Sequence, residues 1–294
     1  MQFTYDAMLT FHNLGRNGWD GLGGPAKVVV DEYNYPTEGD EAKFNRSASS
    51  RAPENSVVVL KKISRPYSVA AGIDIIGHEW GHGVVYTSAN FPDDPSQPKP
   101  VGAQLHEGFA DVIGYINEWS HQIPGSGPER ADWMAGEDSF SNGHWDRRVD
   151  DANWPSWLPT YARYYFHKND HPSDQEAHRR GNMLPVAFRL LDVGGQNPIC
   201  SRPGWSGEGC TISVNGQGLS KAENIFFHTL THMCTSTTQW EDLPDLMMWS
   251  AFRLYGHCTP GKPGNPALEE QHAVDDAFTA IGYPGPGDYY ECPS

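Results

Sequence analysis

The stretch from residue 71 to residue 83 constrains the fold of this chain most, because it contains the pattern His-Glu-x-x-His after a run of isoleucines. On a helix, His78 and His82 lie four residues apart on one face, where two imidazoles can reach the same cation. Glu79 lies beside them and can hold a water molecule without binding the metal itself. This arrangement is typical of zinc peptidases, in which the metal acidifies a bound water and a carboxylate takes its proton.

A third zinc ligand is expected from a second amphipathic stretch between residues 104 and 115, where apolar side chains follow helical spacing. Glu107 lies 25 residues after His82, which leaves room for a loop and for a second helix packed against the first. Asp111 follows one turn later, where its carboxylate can accept the free N–H of a zinc-bound histidine and fix its tautomer. His106 points about 100° away from Glu107 on a helix, so we expect it to support the zinc site from outside the ligand set; a competing metal contact is the alternative.

These two stretches resemble the thermolysin family of zinc metallopeptidases. The resemblance rests on Gly-Ile-Asp-Ile-Ile-Gly-His-Glu-x-x-His from residue 72 and on Glu-Gly-x-x-Asp-x-x-Gly from residue 107. A metzincin would place a third histidine soon after His82, and residues 83–90 contain none. The resemblance implies an endopeptidase with a catalytic Zn²⁺, Glu79 as its general base, and a ligand set of His78, His82 and Glu107.

The resemblance also implies an α+β fold of two lobes with the active-site cleft between them. Residues 1–88 are expected to form a β-containing N-terminal lobe that ends in the zinc helix. Residues 89–294 are expected to form a mainly α-helical C-terminal lobe.

Local patterns predict several further elements of these lobes. Two β-branched runs, at residues 27–31 and 56–60, predict strands beside the metal helix. The segment from Ser220 to Glu223 predicts a capping box at the start of a helix, and two closing helices are expected at residues 242–255 and 269–281.

The composition limits the partners of the chain. Its 294 residues carry 21 basic and 37 acidic side chains, a net charge of −16, which argues against nucleic acid or an anionic membrane as a partner. No window of 18 apolar residues occurs, so we expect no transmembrane helix. We expect a monomer that acts on peptides or proteins.

The beginning of the chain has no basic segment followed by an apolar run, so the sequence predicts no signal peptide. Members of the thermolysin family are normally secreted with a signal and a pro-segment, and they begin with a longer β-rich lobe. The resemblance therefore implies an extracellular protein. It also implies that the chain is a shortened member or begins inside the mature N-terminal lobe.

Five cysteines, all after residue 199, favour disulfide bonds over free thiols because they cluster in a loop-rich region. Cys200 and Cys210 flank a loop rich in Gly, Pro and Ser, which a bridge between them would hold. Cys234 could pair with Cys258 or with Cys292. Because the count is odd, one thiol stays unpaired or pairs outside the chain.

The resemblance implies two side chains that stabilise the oxyanion of the transition state. His178 stands where the family opens a helix with a histidine, and Asp174 is the carboxylate that would orient its ring. The segment 147–151 resembles the family stretch whose arginine binds the substrate carbonyl. Arg147 is the candidate in that segment, and Arg148 is the reserve.

Substrate contacts are implied at an edge strand and at a side-chain pocket. Where the family has Asn-Ala followed by aromatic residues, this chain has a glutamate in place of the asparagine, which leaves a contact through the backbone of Ala42. An ordinary surface loop is the alternative for this segment. Val69 and Ile75 are apolar at positions that line the pocket for the residue after the scissile bond. Asp146 stands where the family has an aliphatic residue, so we expect a partly polar pocket.

A cluster of carboxylates is expected to bind a structural Ca²⁺, because oxygen-only ligands in that number favour calcium over zinc. The pattern Asp-Trp-x-x-Gly-Glu-Asp from residue 132 resembles the calcium loop of the family. Solvated surface carboxylates are the alternative. The five candidate ligands are Asp74, Glu118, Asp132, Glu137 and Asp138.

A catalytically inactive, zinc-stabilised binding module of the same fold is the alternative function. Such a module would keep the three zinc ligands. A purely structural site has no use for an unligated carboxylate beside the metal, so the presence of Glu79 favours catalysis.

Overall fold

The computed structural model shows an α+β chain in which the named strands all precede residue 149 and helices dominate the rest. The structure describes residues 2–33, 41–46, 54–62, 72–92, 101–125, 129–136, 147–150, 177–201, 208–256 and 268–291. The α-helices are α1 (Gln2–Asn13), α2 (Ile73–Thr87), α3 (Val101–His121), α4 (Ala177–Gly181), α5 (Met183–Val193), α6 (Leu219–His228), α7 (Leu243–Tyr255) and α8 (Leu268–Ala280). The strands are β1 (Lys27–Tyr33), β2 (Glu41–Asn45), β3 (Ser56–Lys62), β4 (Ile123–Pro124), β5 (Arg130–Ala131), β6 (Met134–Ala135) and β7 (Arg147–Arg148).

The three longest strands form one sheet in the order β1–β3–β2. β1 runs parallel to β3, with Lys27 opposite Ser56, and β2 runs antiparallel to β3, with Asn45 opposite the same serine. Both β-branched runs are therefore strands, as predicted. Residues 41–45 form a strand at the edge of this sheet, so the strand and not the surface loop is the correct alternative for this segment.

The two helices that carry the metal motifs, α2 and α3, cross at glycines. A Cβ atom built on Gly77 of α2 would lie 2.8 Å from the Cβ atom of Asn117. One built on Gly114 of α3 would lie 2.7 Å from the carbonyl oxygen of Asp74. Because glycine has no Cβ, the helices can approach to a distance that any other residue would prevent.

The buried side chain of Asn117 joins three helices at this crossing. Its amide donates to the carbonyl oxygen of Ile73 at the start of α2 (2.9 Å), and its carbonyl accepts from the hydroxyl of Thr10 on α1 (3.0 Å). Asn117 is fully buried, so each of these hydrogen bonds satisfies a group that water cannot reach. The network fixes where α2 begins, five residues before the first histidine of its motif.

The helical part of the chain is held by an apolar core and by a disulfide. The rings of Phe188 on α5 and Phe226 on α6 lie edge to face, with centroids 5.2 Å apart. Cys200 and Cys210 form a disulfide with a Cα–Cα distance of 5.4 Å, which confirms that predicted bridge. The side-chain amide of Asn197 donates to the carbonyl oxygen of Ala280 (2.9 Å), so the bridged loop is attached to the end of α8.

Cys234 is a free thiol, so of the possibilities that the sequence left open, a bridge from Cys234 to Cys258 or Cys292 does not form. Those two residues lie outside the described part of the chain. Burial raises the pKa of the Cys234 thiol to about 12, and a hydrogen bond with Thr238 opposes that rise. Cys234 is therefore a protonated thiol at neutral pH.

Contacts divide the chain into two compact units. The first unit consists of Met1–Thr87 and Phe109–Arg148, and the second of Ser88–Gly108 and Val149–Ser294. α3 contributes residues to both. The predicted boundary between an N-terminal lobe (1–88) and a C-terminal lobe (89–294) stays a prediction. Within the described residues, no helix is both long and apolar enough to cross a membrane.

Candidate active site

The first part of the candidate site lies on α2, where the two histidines of the motif share a face. The ring centroids of His78 and His82 are 4.5 Å apart, and the ring planes are nearly perpendicular at 81°. Glu79 follows His78 directly and is buried, with 6% of its surface exposed. The helix therefore presents two imidazoles and a carboxylate within one turn, as the sequence predicts.

A carboxylate of α3 fixes the orientation of the first histidine. Nδ1 of His78 lies 2.7 Å from Oδ1 of Asp111, and their side chains are only 7% and 2% exposed. With Nδ1 engaged by the carboxylate, the ring presents Nε2 as the nitrogen that can bind a metal. The predicted supporting role of Asp111 thus has its geometry in the structure.

The predicted third ligand, Glu107, lies on α3 one turn before Asp111. Its Oε2 is 3.2 Å from Nε2 of His178, and the side chains of His178 and Glu107 are 43% and 18% exposed. The predicted oxyanion histidine therefore lies beside the predicted carboxylate ligand. His106, the neighbour of Glu107, is almost fully buried at 2% exposure.

Two glycines bring α4 close to α3 and so place His178. A Cβ atom on Gly181 would lie 2.7 Å from the carbonyl oxygen of Gln104 and 2.9 Å from the amide nitrogen of Gly108. A Cβ atom on Gly108 would lie 2.6 Å from the carbonyl oxygen of Gly181. Our sequence analysis missed this pair, since neither glycine has a local pattern that predicts its partner 73 residues away.

A further aromatic contact places the edge strand against the metal helix. The ring of Phe44 on β2 lies within 3.0 Å of the position that a Cβ atom on Gly83 would take, directly after the second histidine. The same ring packs edge to face on Trp80, with centroids 5.8 Å apart. The backbone of Ala42, two residues earlier, pairs with Val59 of β3.

Three of the predicted calcium ligands are buried carboxylates. Asp74, Glu118 and Asp132 are 3%, 0% and 9% exposed. The loop that carries Asp132 is attached to both metal helices: the amide of Gly136 donates to Oδ2 of Asp74 (2.5 Å), and Nε1 of Trp119 donates to the carbonyl oxygen of Asp132 (3.0 Å). Carboxylate oxygens are the ligand type that Ca²⁺ prefers, because hard cations take oxygen ligands. Within the described part of the chain, however, these three side chains do not form a group whose ligand atoms all lie within 4.8 Å of one another.

Several predicted site residues have no described side chain. The backbone of Arg147 forms β7, which pairs with β6, but the position of its guanidinium is not described. Ile75 is described and is buried on α2, and its place in the substrate pocket stays a prediction. Outside the described residues lie Val69, Glu137, Asp138, Asp146 and Asp174.

Comparison with known proteins identifies the family. A family model described as the α-helical domain of thermolysin metallopeptidases matches residues 100–282, more than half of the chain. The chain belongs to the thermolysin family of metallopeptidases. Its fold is the α+β fold of that family, with a strand-containing N-terminal region and a helical C-terminal domain.

Relatives in the thermolysin family match the chain at low identity over nearly its whole length. Bacillolysin of Brevibacillus brevis is 22% identical over 281 residues, which is 96% of this chain and 44% of that protein. The thermostable neutral protease NprT of Geobacillus stearothermophilus is 26% identical, and a thermolysin of Alicyclobacillus acidocaldarius is 25% identical. Each of these two matches covers 95% of this chain and 43% of the relative, so the chain spans less than half the length of these relatives.

A solved structure shows the same fold. The precursor of protealysin, a metalloproteinase from Serratia proteamaculans, superposes with a TM-score of 0.65 at 17% sequence identity. The superposition covers 96% of this chain and 78% of that one. The match extends the thermolysin-family fold beyond the helical domain to the strand-containing region.

Proposed function

We propose that this protein is a zinc-dependent endopeptidase. The observation that carries the proposal is the contact between Nδ1 of His78 and Asp111, which leaves Nε2 of a buried imidazole as the metal-binding nitrogen. His82 lies on the same helical face, and Glu107 lies one turn from Asp111 on α3. Two imidazoles and one carboxylate form a donor set that suits catalytic zinc, with the fourth position left to water.

The bound zinc would lower the pKa of its water and polarise the substrate carbonyl. Glu79 would accept a proton from the attacking water and later donate it to the nitrogen of the leaving amine. His178 donates a hydrogen bond from Nε2 to the oxyanion, and Arg147 supplies a positive charge to the same oxygen. In this mechanism Asp174 orients the ring of His178, Asp111 holds His78, and His106 supports α3 from behind the ligand face.

Peptides and proteins are the proposed substrates. The edge position of β2 leaves one side of its backbone without a strand partner in the described sheet, so an extended peptide can pair beside Ala42. The pocket for the residue after the scissile bond would be formed by Val69, Ile75 and Asp146, the last of which makes it partly polar. We propose a monomer that acts outside the cell, as membership of the thermolysin family implies. We also propose that it binds structural Ca²⁺ through the five predicted ligands, which are Asp74, Glu118, Asp132, Glu137 and Asp138.

The substitution Glu79→Gln tests this mechanism. Because Glu79 is not a ligand, the variant should keep zinc while losing nearly all hydrolysis of a protein substrate such as casein. His82→Ala and Glu107→Ala should lose both zinc and activity. Metal analysis and casein hydrolysis, with and without a zinc chelator, measure both properties on the same samples.

The same experiment separates catalysis from the alternative of an inactive binding module. If the wild-type protein binds zinc but does not hydrolyse peptides, the binding module is correct. If Glu79→Gln retains substantial proteolysis, the assignment of the general base is wrong. The burial of Glu79 next to the two histidines favours catalysis, because a structural zinc site does not need that carboxylate.

A further inference from the structure

A second pair of histidines with the spacing of the zinc motif lies in the helical unit. His228 is the last residue of α6, and His232 lies in a π-helical turn, Thr229–Met233, that continues the helix. Their ring centroids are 4.6 Å apart, compared with 4.5 Å for His78 and His82. The proposed peptidase mechanism uses neither residue.

The π turn explains why the two rings face each other. The amide of Cys234 donates to the carbonyl oxygen of Thr229 (2.9 Å), a bond that spans five residues instead of the four of an α-helix. This wider turn brings side chains four residues apart closer to alignment along the helix axis. The rings of His228 and His232 accordingly lie parallel, with 10° between their planes. Such π turns inside helices are frequent at functional sites.

Both imidazoles are held through the same ring nitrogen. Nδ1 of His228 lies 3.0 Å from the hydroxyl of Ser250 on α7, and Nδ1 of His232 lies 2.8 Å from the hydroxyl of Thr231. When Nδ1 donates to a hydroxyl, Nε2 carries the lone pair that can bind a metal. Metal-binding histidines in proteins are commonly fixed in this way by a partner on their other nitrogen.

The surroundings allow a cation to reach the pair. His232 is exposed and His228 is half-buried. Burial lowers the pKa of His228, and the neighbouring His232 and Arg253 lower it further. The positive charge of Arg253 opposes a metal cation as it opposes a proton, and it limits the affinity of the pair.

Among the residues that the structure describes, two protein ligands are available and a third is not. Within the described part of the chain, no cluster of three or more His, Cys, Asp or Glu side chains includes this pair. The nearby thiol of Cys234 stays protonated because its pKa is raised to about 12 by burial. Water molecules would therefore complete the coordination, which suits metals that accept imidazole together with oxygen ligands.

We propose that His228 and His232 form a second metal site, for a divalent transition metal such as Ni²⁺, Cu²⁺ or Zn²⁺. The exposed ring of His232 turns out of the stack, so that both Nε2 atoms reach one ion, while Ser250 keeps His228 in place. Binding ties the π turn to α6 and stabilises the folded chain by linkage.

Titration of Ni²⁺ into the zinc- and calcium-loaded protein tests the site, with calorimetry for stoichiometry and affinity and thermal unfolding for stability. The wild-type protein should bind one more Ni²⁺ than His232→Ala and should gain melting temperature that His232→Ala does not gain. Ser250→Ala should keep the stoichiometry and weaken the affinity by about 10- to 100-fold, as expected for the loss of a partner on the other ring nitrogen. His272→Ala on α8 is the matched control, because His272 packs on Tyr289 and, within the described ranges, no second histidine ring packs on it.

The control variant should bind Ni²⁺ like the wild-type protein. The proposal is overturned if His232→Ala and His272→Ala take up the same amount of Ni²⁺ with the same affinity. Because His232 is exposed, its replacement should leave the melting temperature in the absence of Ni²⁺ unchanged, so a folding defect cannot account for lost binding.

Discussion

At the scale of single residues, the two histidines closest to the proposed chemistry have different environments. His78 is buried against Asp111, which holds its ring in one orientation. His178 is 43% exposed beside Glu107 and so remains accessible to a substrate. Burial suits a ligand whose position must not change, and exposure suits a donor that acts only on the developing oxyanion.

The substitution His178→Ala should lower kcat by roughly 10²–10³-fold and change KM much less, because the lost hydrogen bond strengthens mainly in the transition state. Steady-state kinetics on a peptide substrate measure both constants. His12→Ala, which removes an exposed histidine of α1, should leave both unchanged. An unaltered kcat in His178→Ala would assign His178 to structure.

The free energy of unfolding should depend on pH through Glu223 on α6. Burial, and then the nearby charge of Asp192, raise its pKa from 4.5 to about 7. The folded state therefore holds this proton more tightly than the unfolded state, and the resulting stability is lost as pH rises from 4.5 through 7. Glu223→Gln removes the charge and should melt at a higher temperature than the wild-type protein at about pH 8, with a smaller difference at about pH 5.

Thermal unfolding of both proteins across this pH range measures that difference. Exposed Glu291→Gln serves as the control and should track the wild-type protein at every pH. A difference between Glu223→Gln and the wild-type protein that is constant from about pH 5 to about pH 8 would contradict the assigned titration.

At the scale of elements, small residues decide how the metal helices meet. Gly77 and Gly114 let α2 and α3 cross at van der Waals distance, which brings Asp111 within hydrogen-bond reach of His78. Gly108 and Gly181 do the same for α3 and α4 and bring His178 to Glu107. A glycine inside a helix costs stability of up to about 1 kcal/mol relative to alanine, so these positions are explained by the close approach rather than by helix formation.

The substitution Gly114→Ala should therefore destabilise the protein, although alanine is the better helix former. Its Cβ atom would lie 2.7 Å from the carbonyl oxygen of Asp74, which cannot move without the helix. We expect a loss of about 1–3 kcal/mol in the free energy of unfolding, together with weaker zinc binding. Gly125→Ala is the control, since its nearest neighbour is the flexible side chain of Arg130. A more stable Gly114→Ala protein would show that helix propensity, not the crossing, dominates at this position.

At the level of the whole molecule, the chain has a net charge of −16, and some of its many carboxylates are buried. Asp74, Glu118 and Asp132 are all less than 10% exposed, and burying a charged carboxylate costs free energy unless a cation or hydrogen bonds offset it. A bound Ca²⁺ would offset part of this cost and join the loop at residues 129–136 to the start of the metal helix.

Removal of calcium with a calcium-selective chelator, while zinc is retained, should lower the melting temperature and expose the chain to self-cleavage. At a free Ca²⁺ concentration 100 times the Kd, binding to one site stabilises the folded state by about 2.7 kcal/mol. Asp74→Asn should lose most of this calcium dependence, whereas Glu54→Gln, at an exposed position, should keep it. Melting that is the same in calcium and in chelator, with no calcium in the purified protein, would refute the site.

Features that depend on local period and spacing were predictable from the amino-acid sequence. His78 and His82 share a helical face because four residues make about one turn, and the patterns at 27–31 and 56–60 specify strands through their β-branched side chains. The bridge between Cys200 and Cys210 was also predictable, because both cysteines flank one short loop.

Which distant groups meet depends on tertiary packing. The capping box predicted from Ser220 to Glu223 is wrong: α6 begins at Leu219, and the residue before it, Gly218, has no side chain that could cap the helix. Likewise, the packing around Cys234 leaves it a half-buried thiol whose pKa is raised by burial. The contact of Glu107 with His178 joins residues 71 positions apart, and its physical cause is the close helix crossing at two glycines, which no local pattern encodes.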